Sequence, residues 1–170
     1  TQTNLLYLED AYLQQTTANI VEVILDNKVR PDGSHSASLI LDQTLFYPQG
    51  GGQPADQGTV EGPNGTFEVT HVSYNGGSVL HKGTLRGNLK AGDTVTLNLD
   101  WNRRYQHMQW HTLGHIVDQA VKNTVKDATS IDGNHGIGKK LSITFTTKIS
   151  ADQKQQIQQE VEKIIAQNVS

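Results

Sequence analysis

The spacing of apolar residues changes at Asp100, and this change constrains the fold more than any other feature of the chain. Before it, short segments alternate apolar and polar residues or are rich in β-branched residues, which is typical of β-strands. Asn75-Gly76-Gly77 lies between two such segments and predicts a hairpin turn. Many short strands separated by glycine turns predict a small antiparallel β-barrel over residues 1–100. The predicted strands span 20–29, 38–45, 66–74, 78–82 and 94–99.

After Asp100, apolar residues recur at spacings of three and four, which predicts a helix from Asn102 to about Lys126. Residues 141–146 alternate like a strand, and Gly133 with the glycines of 136–138 predicts a loop before it. A last helix is predicted from Ser150, because Gln153 completes a capping box. We therefore expect an α+β chain with two domains, 1–100 and 101–170.

The chain has 170 residues, a net charge of -3 and no cysteine, so disulfide bonds are excluded. It has no apolar run of the roughly 18 residues that span a membrane, and its start lacks the basic residues of a secretory signal. A cytoplasmic protein without a membrane partner is therefore expected. Residues 1–60 carry seven acids and two bases, whereas 101–148 carry seven bases and three acids. The second stretch permits a surface for a polyanion, although ordinary solvated charge is at least as good an interpretation.

Three histidines recur at four-residue spacing on the predicted helix: His107, His111 and His115. At about 100° per residue they fall on one side of the helix, roughly opposite its apolar stripe. Imidazoles at positions i and i+4 project in the same direction, so His111 and His115 can bind one metal ion. Thr112 occupies the position of the general-base Glu of a zincin protease, which disfavours that mechanism. Three solvated surface histidines are the alternative interpretation.

The second candidate site is a glycine run, Gly50-Gly51-Gly52, followed by Gln53. Its spacing, and the absence of a following Lys-Ser/Thr, exclude both a dinucleotide-binding fingerprint and a P-loop. Successive glycines leave backbone amides uncovered and allow a ligand to approach closely, and the Gln53 amide can donate and accept hydrogen bonds. The alternative is a tight barrel turn.

These features occur in two motifs that follow each other in the chain. The first is the segment 41–54 with Asp56 and Gly58, and the second is Asp100-Trp101 through Arg104 with 108–112 and His115. In this order they resemble the alanyl-tRNA editing family, which comprises the free-standing AlaX-type proteins and the editing region of alanyl-tRNA synthetase. The resemblance runs from about residue 5 to the end and includes Gly133-Asn134-His135-Gly136.

The resemblance implies an N-terminal barrel followed by an editing domain of the kind shared with threonyl-tRNA synthetases. It also implies hydrolysis of mischarged tRNA(Ala), chiefly Ser-tRNA(Ala), with zinc as the cofactor and the charged tRNA as the partner. The implied roles are catalytic for Gln53 and Thr129, substrate-binding for Gly50, Gly51, Gly52, Arg104 and Ser130, and metal-binding for His111 and His115.

One departure from the family pattern concerns the remaining zinc ligands. Family members supply them from a later C-x-x-x-H motif, whereas this chain has no cysteine. A fragment that lacks part of the editing domain is the favoured interpretation, because one strand and two helices would expose an apolar sheet surface, which a homodimer would also cover. The alternatives are a natural short form, or a site that recruits His107, His135 or another molecule. Two other functions stay open: a non-catalytic tRNA- or partner-binding module, and another metallohydrolase.

Overall fold

The computed structural model describes residues 2–134 and 142–167 of the chain. The chain divides into two compact units. The first comprises the residues up to Gly50 together with Pro54–Arg104, and the second comprises Gly51–Gln53 together with the chain from Tyr105 onward. The assignment of a barrel domain to 1–100 and an editing domain to 101–170 stays a prediction.

Within the first unit, six strands close into an antiparallel barrel in the order β2-β3-β7-β6-β5-β8. Two further short strands, β1 and β4, pair in parallel. The predicted antiparallel barrel is therefore confirmed. The described elements are β1 Asn4–Leu5, a 3-10 helix Leu6–Leu8, β2 Gln15–Val29, β3 His35–Leu41, β4 Gln43–Thr44, β5 Gly58–Gly62, β6 Gly65–Asn75, β7 Ser78–Gly87 and β8 Thr94–Leu99.

The barrel core follows from the alternation of side chains along the strands. In β6, Phe67 and Val69 are buried while Glu68 between them is exposed, because successive strand residues point to opposite faces. The pairing of β6 with β7 shifts between Val69 and His71, and the next buried residue is therefore Val72. A bulge of this kind adds one residue to a strand and lets the apolar pattern continue on the same face.

The β6–β7 hairpin confirms the turn predicted from Asn75-Gly76-Gly77. Asn75 pairs with Ser78, and the two glycines between them have φ angles of 55° and 103°. Positive φ at both central positions matches the twist of the flanking strands and favours glycine. The local sequence is therefore sufficient to determine this connection.

A buried ion pair anchors the segment that leads to the glycine run. The Arg104 guanidinium donates to the Asp56 carboxylate, with Nε 2.8 Å from Oδ2, and Nη2 donates to the Leu45 carbonyl at 2.7 Å. Asp56 Oδ2 also accepts from the Tyr47 amide at 2.6 Å. Arg104 is 2% exposed, so its charge needs partners inside the protein. These contacts within the first unit supply them.

A second buried polar group, His81, lies in the barrel wall. Its Nδ1 is 3.1 Å from the Leu39 carbonyl oxygen, and its Nε2 is 2.8 Å from Thr44 Oγ1. A carbonyl can only accept, so Nδ1 carries the proton and Thr44 donates to Nε2. Thr44 Oγ1 in turn accepts from the Phe46 amide at 3.1 Å. Both ring nitrogens of His81 are therefore satisfied.

The second unit packs two helices against a hairpin. Its apolar cluster includes Ala120 and Val121 of α1 (Trp101–Thr124), Val125 just after that helix, and Ile157 of α2 (Ala151–Ala166). Ser150 and Gln153 form the predicted capping box at the start of α2. The predicted elements are therefore confirmed as the helix Trp101–Thr124 (α1), the strand Ser142–Phe145 (β10) and the helix Ala151–Ala166 (α2).

One local prediction in this unit is wrong. Gly133 was expected in a loop, but it lies in a further strand, β9 (Ser130–Asn134), and pairs with Ile143 of β10. Pairing with β10 outweighs the weak strand propensity of glycine, because sheet contacts decide strand formation more than intrinsic preference does. The glycines predicted to form a loop at 136–138 lie outside the described residues.

The described helices do not combine the length and the apolar character that a membrane-crossing helix needs.

Candidate functional site

A cavity of about 370 Å³ lies in the second unit, between α1, β9 and the glycine turn. Its volume falls within the range of small-molecule sites, about 300 to 1,000 Å³. The wall is mixed, because imidazole, carboxylate and hydroxyl side chains line it together with Ile131 and Ile143. The lining residues on which the chemistry depends are Gly51, Gly52, His111, His115, Asp118 and Ser130.

His111 and His115 lie side by side on α1, as their four-residue spacing predicted. Their ring centroids are 4.7 Å apart and the ring planes meet at 24°. His111 is half-buried and His115 is exposed. The pair therefore presents two imidazoles to one region of the cavity wall.

Gln53 orients the His111 ring. Its Oε1 lies 3.0 Å from His111 Nδ1, and Gln53 is itself only 5% exposed. An amide oxygen accepts, so Nδ1 of His111 carries the proton and Nε2 carries the lone pair. An outer partner of this kind fixes the tautomer and direction of a metal-binding or catalytic histidine.

The glycine turn has a backbone that only glycine adopts without strain at two successive positions. The φ angles of Gly51 and Gly52 are 59° and 79°, in the left-handed region. A Cβ on Gly51 would lie 3.8 Å from His111 Cε1, which is ordinary contact. Backbone conformation, rather than lack of space, is therefore the reason for glycine here.

Asp118 joins the histidines on the same face of α1, one turn beyond His115. Its Oδ2 accepts from Lys122 Nζ at 2.6 Å. The Lys122 hydrogen bond, together with the Ser130 hydroxyl, holds the pKa of Asp118 below its usual value. The sequence motifs gave Asp118 no role. Asp118 lies three residues after His115 and seven after His111, and on a helix this spacing predicts that the three side chains share one face.

Ser130 and Thr129 differ in position, although the sequence offered them as neighbouring hydroxyls. Ser130 lines the cavity. Thr129 is exposed, its carbonyl accepts from the Thr146 amide at 2.9 Å, and its amide donates to Thr146 Oγ1 at 3.2 Å. The structure therefore brings Ser130, and not Thr129, together with the histidines, and the catalytic role of Thr129 stays a prediction.

Two other predicted substrate-binding residues belong to the first unit. Gly50 is exposed there. Arg104 is buried and bonded to Asp56, Leu45 and Ala11. A contact between Arg104 and a substrate would require these bonds to break. Its predicted substrate contact stays a prediction, while its observed contacts are architectural.

The alternative interpretation of three solvated surface histidines is wrong for His107. His107 is 1% exposed, although the helical pattern placed it with His111 and His115 opposite the apolar stripe. A helical wheel counts only the residues of the helix itself, so burial by other segments is invisible to it. His107 is therefore a core residue, and His135 lies outside the described residues.

The cavity wall supplies some of the donors that a zinc ion needs. Neutral imidazoles are good zinc ligands, and zinc takes three or four protein donors. Within the described ranges no group of three or more His, Cys, Asp and Glu side chains is arranged to hold a metal ion. His111 and His115 therefore account for two ligands, and zinc binding stays a prediction.

Comparison with known proteins finds similarity to a tRNA synthetase family, to alanyl-tRNA editing proteins and to alanine–tRNA ligases. Residues 2–103 match the model of a family described as tRNA synthetases class II (A). The chain is 38% identical over 118 residues to the alanyl-tRNA editing protein AlaX-L of Pyrococcus horikoshii, covering 69% of this chain and 28% of that protein. It is 38% identical over 139 residues to AlaX-M of Methanosarcina acetivorans, covering 78% of this chain and 52% of that protein. It is 32% identical over 168 residues to an alanine–tRNA ligase of Thermococcus kodakarensis, covering 98% of this chain and 17% of that protein. The chain thus spans about half or less of the length of these relatives.

Proposed function

Because this chain belongs to the class II (A) tRNA synthetase family, in the group of alanyl-tRNA editing proteins and alanine–tRNA ligases, we propose that it serves the hydrolysis of mischarged aminoacyl-tRNA(Ala). The observation that carries this proposal is the histidine pair at a ligand-sized cavity, with His111 oriented by Gln53. Water adds to the ester carbonyl, the bond to the 3′-terminal ribose oxygen breaks, and the tRNA leaves with a hydroxyl while the amino acid leaves as a carboxylate.

The cavity residues divide this work. His111 and His115 would hold zinc, which when bound would polarise the carbonyl or an attacking water. Gln53 fixes the orientation of the His111 ring through Nδ1. The uncovered backbone of Gly51 and Gly52 lets the tRNA end approach closely.

The favoured substrate is Ser-tRNA(Ala). Serine carries a hydroxyl that alanine lacks, and a hydroxyl in the cavity wall can bond to it. Ser130 is our candidate for that contact, because it lines the cavity. An alanyl group would leave such a buried group without its partner, which costs binding energy.

Deacylation of Ser-tRNA(Ala) and Ala-tRNA(Ala) by the purified protein tests this function. We expect faster loss of the seryl group, and we expect His111→Ala to lower that rate by at least a hundredfold. Thr112→Ala is the matched control, because Thr112 is the next residue of the same helix and is exposed. Full activity of His111→Ala would refute the role of the histidine.

A tRNA-binding module without turnover is the second candidate, and the two-ligand count in the described residues favours it. It predicts tRNA(Ala) binding in a filter assay, no deacylation, and no zinc in metal analysis of the purified protein. Stoichiometric zinc together with seryl ester hydrolysis would reject it.

A further inference from the structure

A second concavity, of about 210 Å³, lies beside the histidine cavity in the second unit. Its wall is largely apolar, in contrast to the mixed wall of the cavity. It is smaller than a site for a whole small molecule, about 300 to 1,000 Å³, so it fits one part of a larger ligand. We call it the apolar groove, and its lining includes Trp110, Leu113, Gly114, Val117, Ile143 and Phe145.

The apolar groove is open to a ligand. Trp110 is 37% exposed, and the other four apolar side chains named in its lining are partly exposed. Val117 and Phe145 also pack against the apolar cluster of the second unit. The groove therefore has a floor that the core holds in place and, in Trp110, a flat aromatic side chain that a ligand can reach.

The groove and the histidine cavity adjoin, because Gly114 and Ile143 line both. Along α1, Trp110, Gly114 and Val117 are each followed directly by a residue of the cavity wall. Since residues three or four apart share a helix face, the groove side and the cavity side of α1 run next to each other. One ligand can therefore place a polar part in the cavity and an apolar ring in the groove.

The substrate of the proposed function has one group that suits the groove. The seryl group is small and polar, so it matches the hydroxyl and imidazole groups of the cavity. The ribose on the other side of the ester bond carries an adenine base, which is flat and aromatic. This base is unpaired at the single-stranded end of a tRNA, and unpaired bases stack on aromatic side chains.

We propose that the apolar groove binds the adenine base of the 3′-terminal nucleotide, with the base stacked on the Trp110 indole. This inference rests on the proposed deacylase function. Because every base has a face that can stack, the contact adds affinity for the tRNA end and does not select among tRNAs. Discrimination of the amino acid then belongs to the cavity.

Single-turnover deacylation of seryl-tRNA(Ala) at subsaturating protein is the first test. We expect Trp110→Ala to lower the rate by roughly fivefold to a hundredfold, which is the range for one base–aromatic stack. Trp110→Phe should recover part of the loss, because a phenyl ring also stacks. Tyr105→Ala is the matched control, since it removes another exposed ring of α1 that does not line the groove. An unchanged rate in Trp110→Ala, with an active wild type, would overturn the inference and leave the proposed function intact.

Two ligands separate stacking from a general loss of binding, and they stay informative if no ester is hydrolysed. They are 3′-seryl-amido-adenosine and the same compound with a hydrogen in place of the base. The wild type should bind the adenosine compound more tightly, and Trp110→Ala should bind both alike. Equal affinity of the wild type for the two compounds, or no binding of the adenosine compound at millimolar concentration, rejects the inference. An equal loss on both compounds in Trp110→Ala also rejects it.

The fluorescence of Trp110 reports the contact directly. The chain has two tryptophans, so Trp101→Phe leaves Trp110 as the only one. The adenosine compound should quench its fluorescence, and the base-free compound should not. Quenching that is the same with both compounds would contradict stacking of the base.

A second copy of the chain is the competing occupant of an apolar groove, and sedimentation of the wild type and Trp110→Ala tests it. We expect the two proteins to sediment alike. A wild-type dimer that dissociates in Trp110→Ala would overturn the inference. A thermal melt of each variant separates misfolding from a lost contact.

Discussion

The polar groups buried in the barrel and those around the cavity of the second unit are of the same chemical types but differ in what surrounds them. In the barrel, His81 uses both ring nitrogens. In the second unit, His111 is held through Nδ1 by Gln53 and stands in the wall of a cavity. The carboxylates differ in the same way, since Asp56 is enclosed and bonded to Tyr47 and Arg104, whereas Asp118 lines the cavity. Polar groups enclosed in a core indicate an architectural role, and polar groups in a cavity wall indicate a place for a ligand.

The largest expected effect comes from breaking the barrel ion pair. Arg104→Gln should lower the free energy of unfolding by about 3 to 5 kcal/mol, because the Asp56 carboxylate is left buried without its partner. Urea unfolding followed by circular dichroism measures this loss. A change below about 1 kcal/mol would mean that Asp56 finds other donors or solvent, and the contrast between the two carboxylates would weaken.

The next effect concerns pH, because burial lowers the pKa of His81 to about 4 from its ordinary 6.5. The unfolded chain therefore binds a proton at a pH where the folded chain does not. The stabilisation is complete above pH 6.5, declines as the pH falls, and is lost by about pH 4. This contribution to the free energy of unfolding is about 3 kcal/mol, because the His81 pKa falls from 6.5 to about 4 on folding and one pKa unit corresponds to about 1.36 kcal/mol.

Comparison of the wild type with His81→Gln isolates this effect from other titrating groups. Glutamine can donate to Leu39 and accept from Thr44 without a charge change. The stability advantage of the wild type should shrink between pH 7 and pH 4 in urea unfolding. An advantage that is the same at both pH values would contradict the neutral, buried state of His81.

A smaller effect tests the orienting role of Gln53. Gln53→Ala should lower deacylation by about tenfold to a hundredfold, because the His111 tautomer is no longer fixed. Gln53→Glu is the control, since its carboxylate also accepts from Nδ1. The single-turnover rate on seryl-tRNA(Ala) is the measurement, and equal rates for wild type and Gln53→Ala would show that the hydrogen bond has no catalytic value.

The smallest effect belongs to a surface ion pair of the same barrel. Arg86 Nη1 lies 2.8 Å from Asp32 Oδ2, and the side chains are 56% and 49% exposed. Arg86→Gln should change the free energy of unfolding by about 1 kcal/mol or less, because water screens exposed charges. The same urea experiment measures Arg86→Gln and Arg104→Gln. If both variants lose a similar free energy of unfolding, burial does not decide how much an ion pair contributes to stability.

The sequence by itself determined those features whose causes lie within a few neighbouring residues. Alternation predicted the barrel strands, two glycines predicted the hairpin after Asn75, and Ser150 with Gln153 predicted the start of α2. The helical repeat also placed His111 and His115 side by side. Each of these depends on backbone preferences or on residues at most four apart, which the chain displays directly.

Only the tertiary structure decided features that depend on residues distant in the chain. It buried His107, which the helical pattern placed opposite the apolar stripe. It joined Gln53 to His111 across 58 residues and brought Ser130 rather than Thr129 to the cavity. It also brought Asp118 to the wall of the same cavity. Burial and hydrogen bonding depend on which segments contact each other after folding. The local periodicity of a segment does not show which distant segments it will contact.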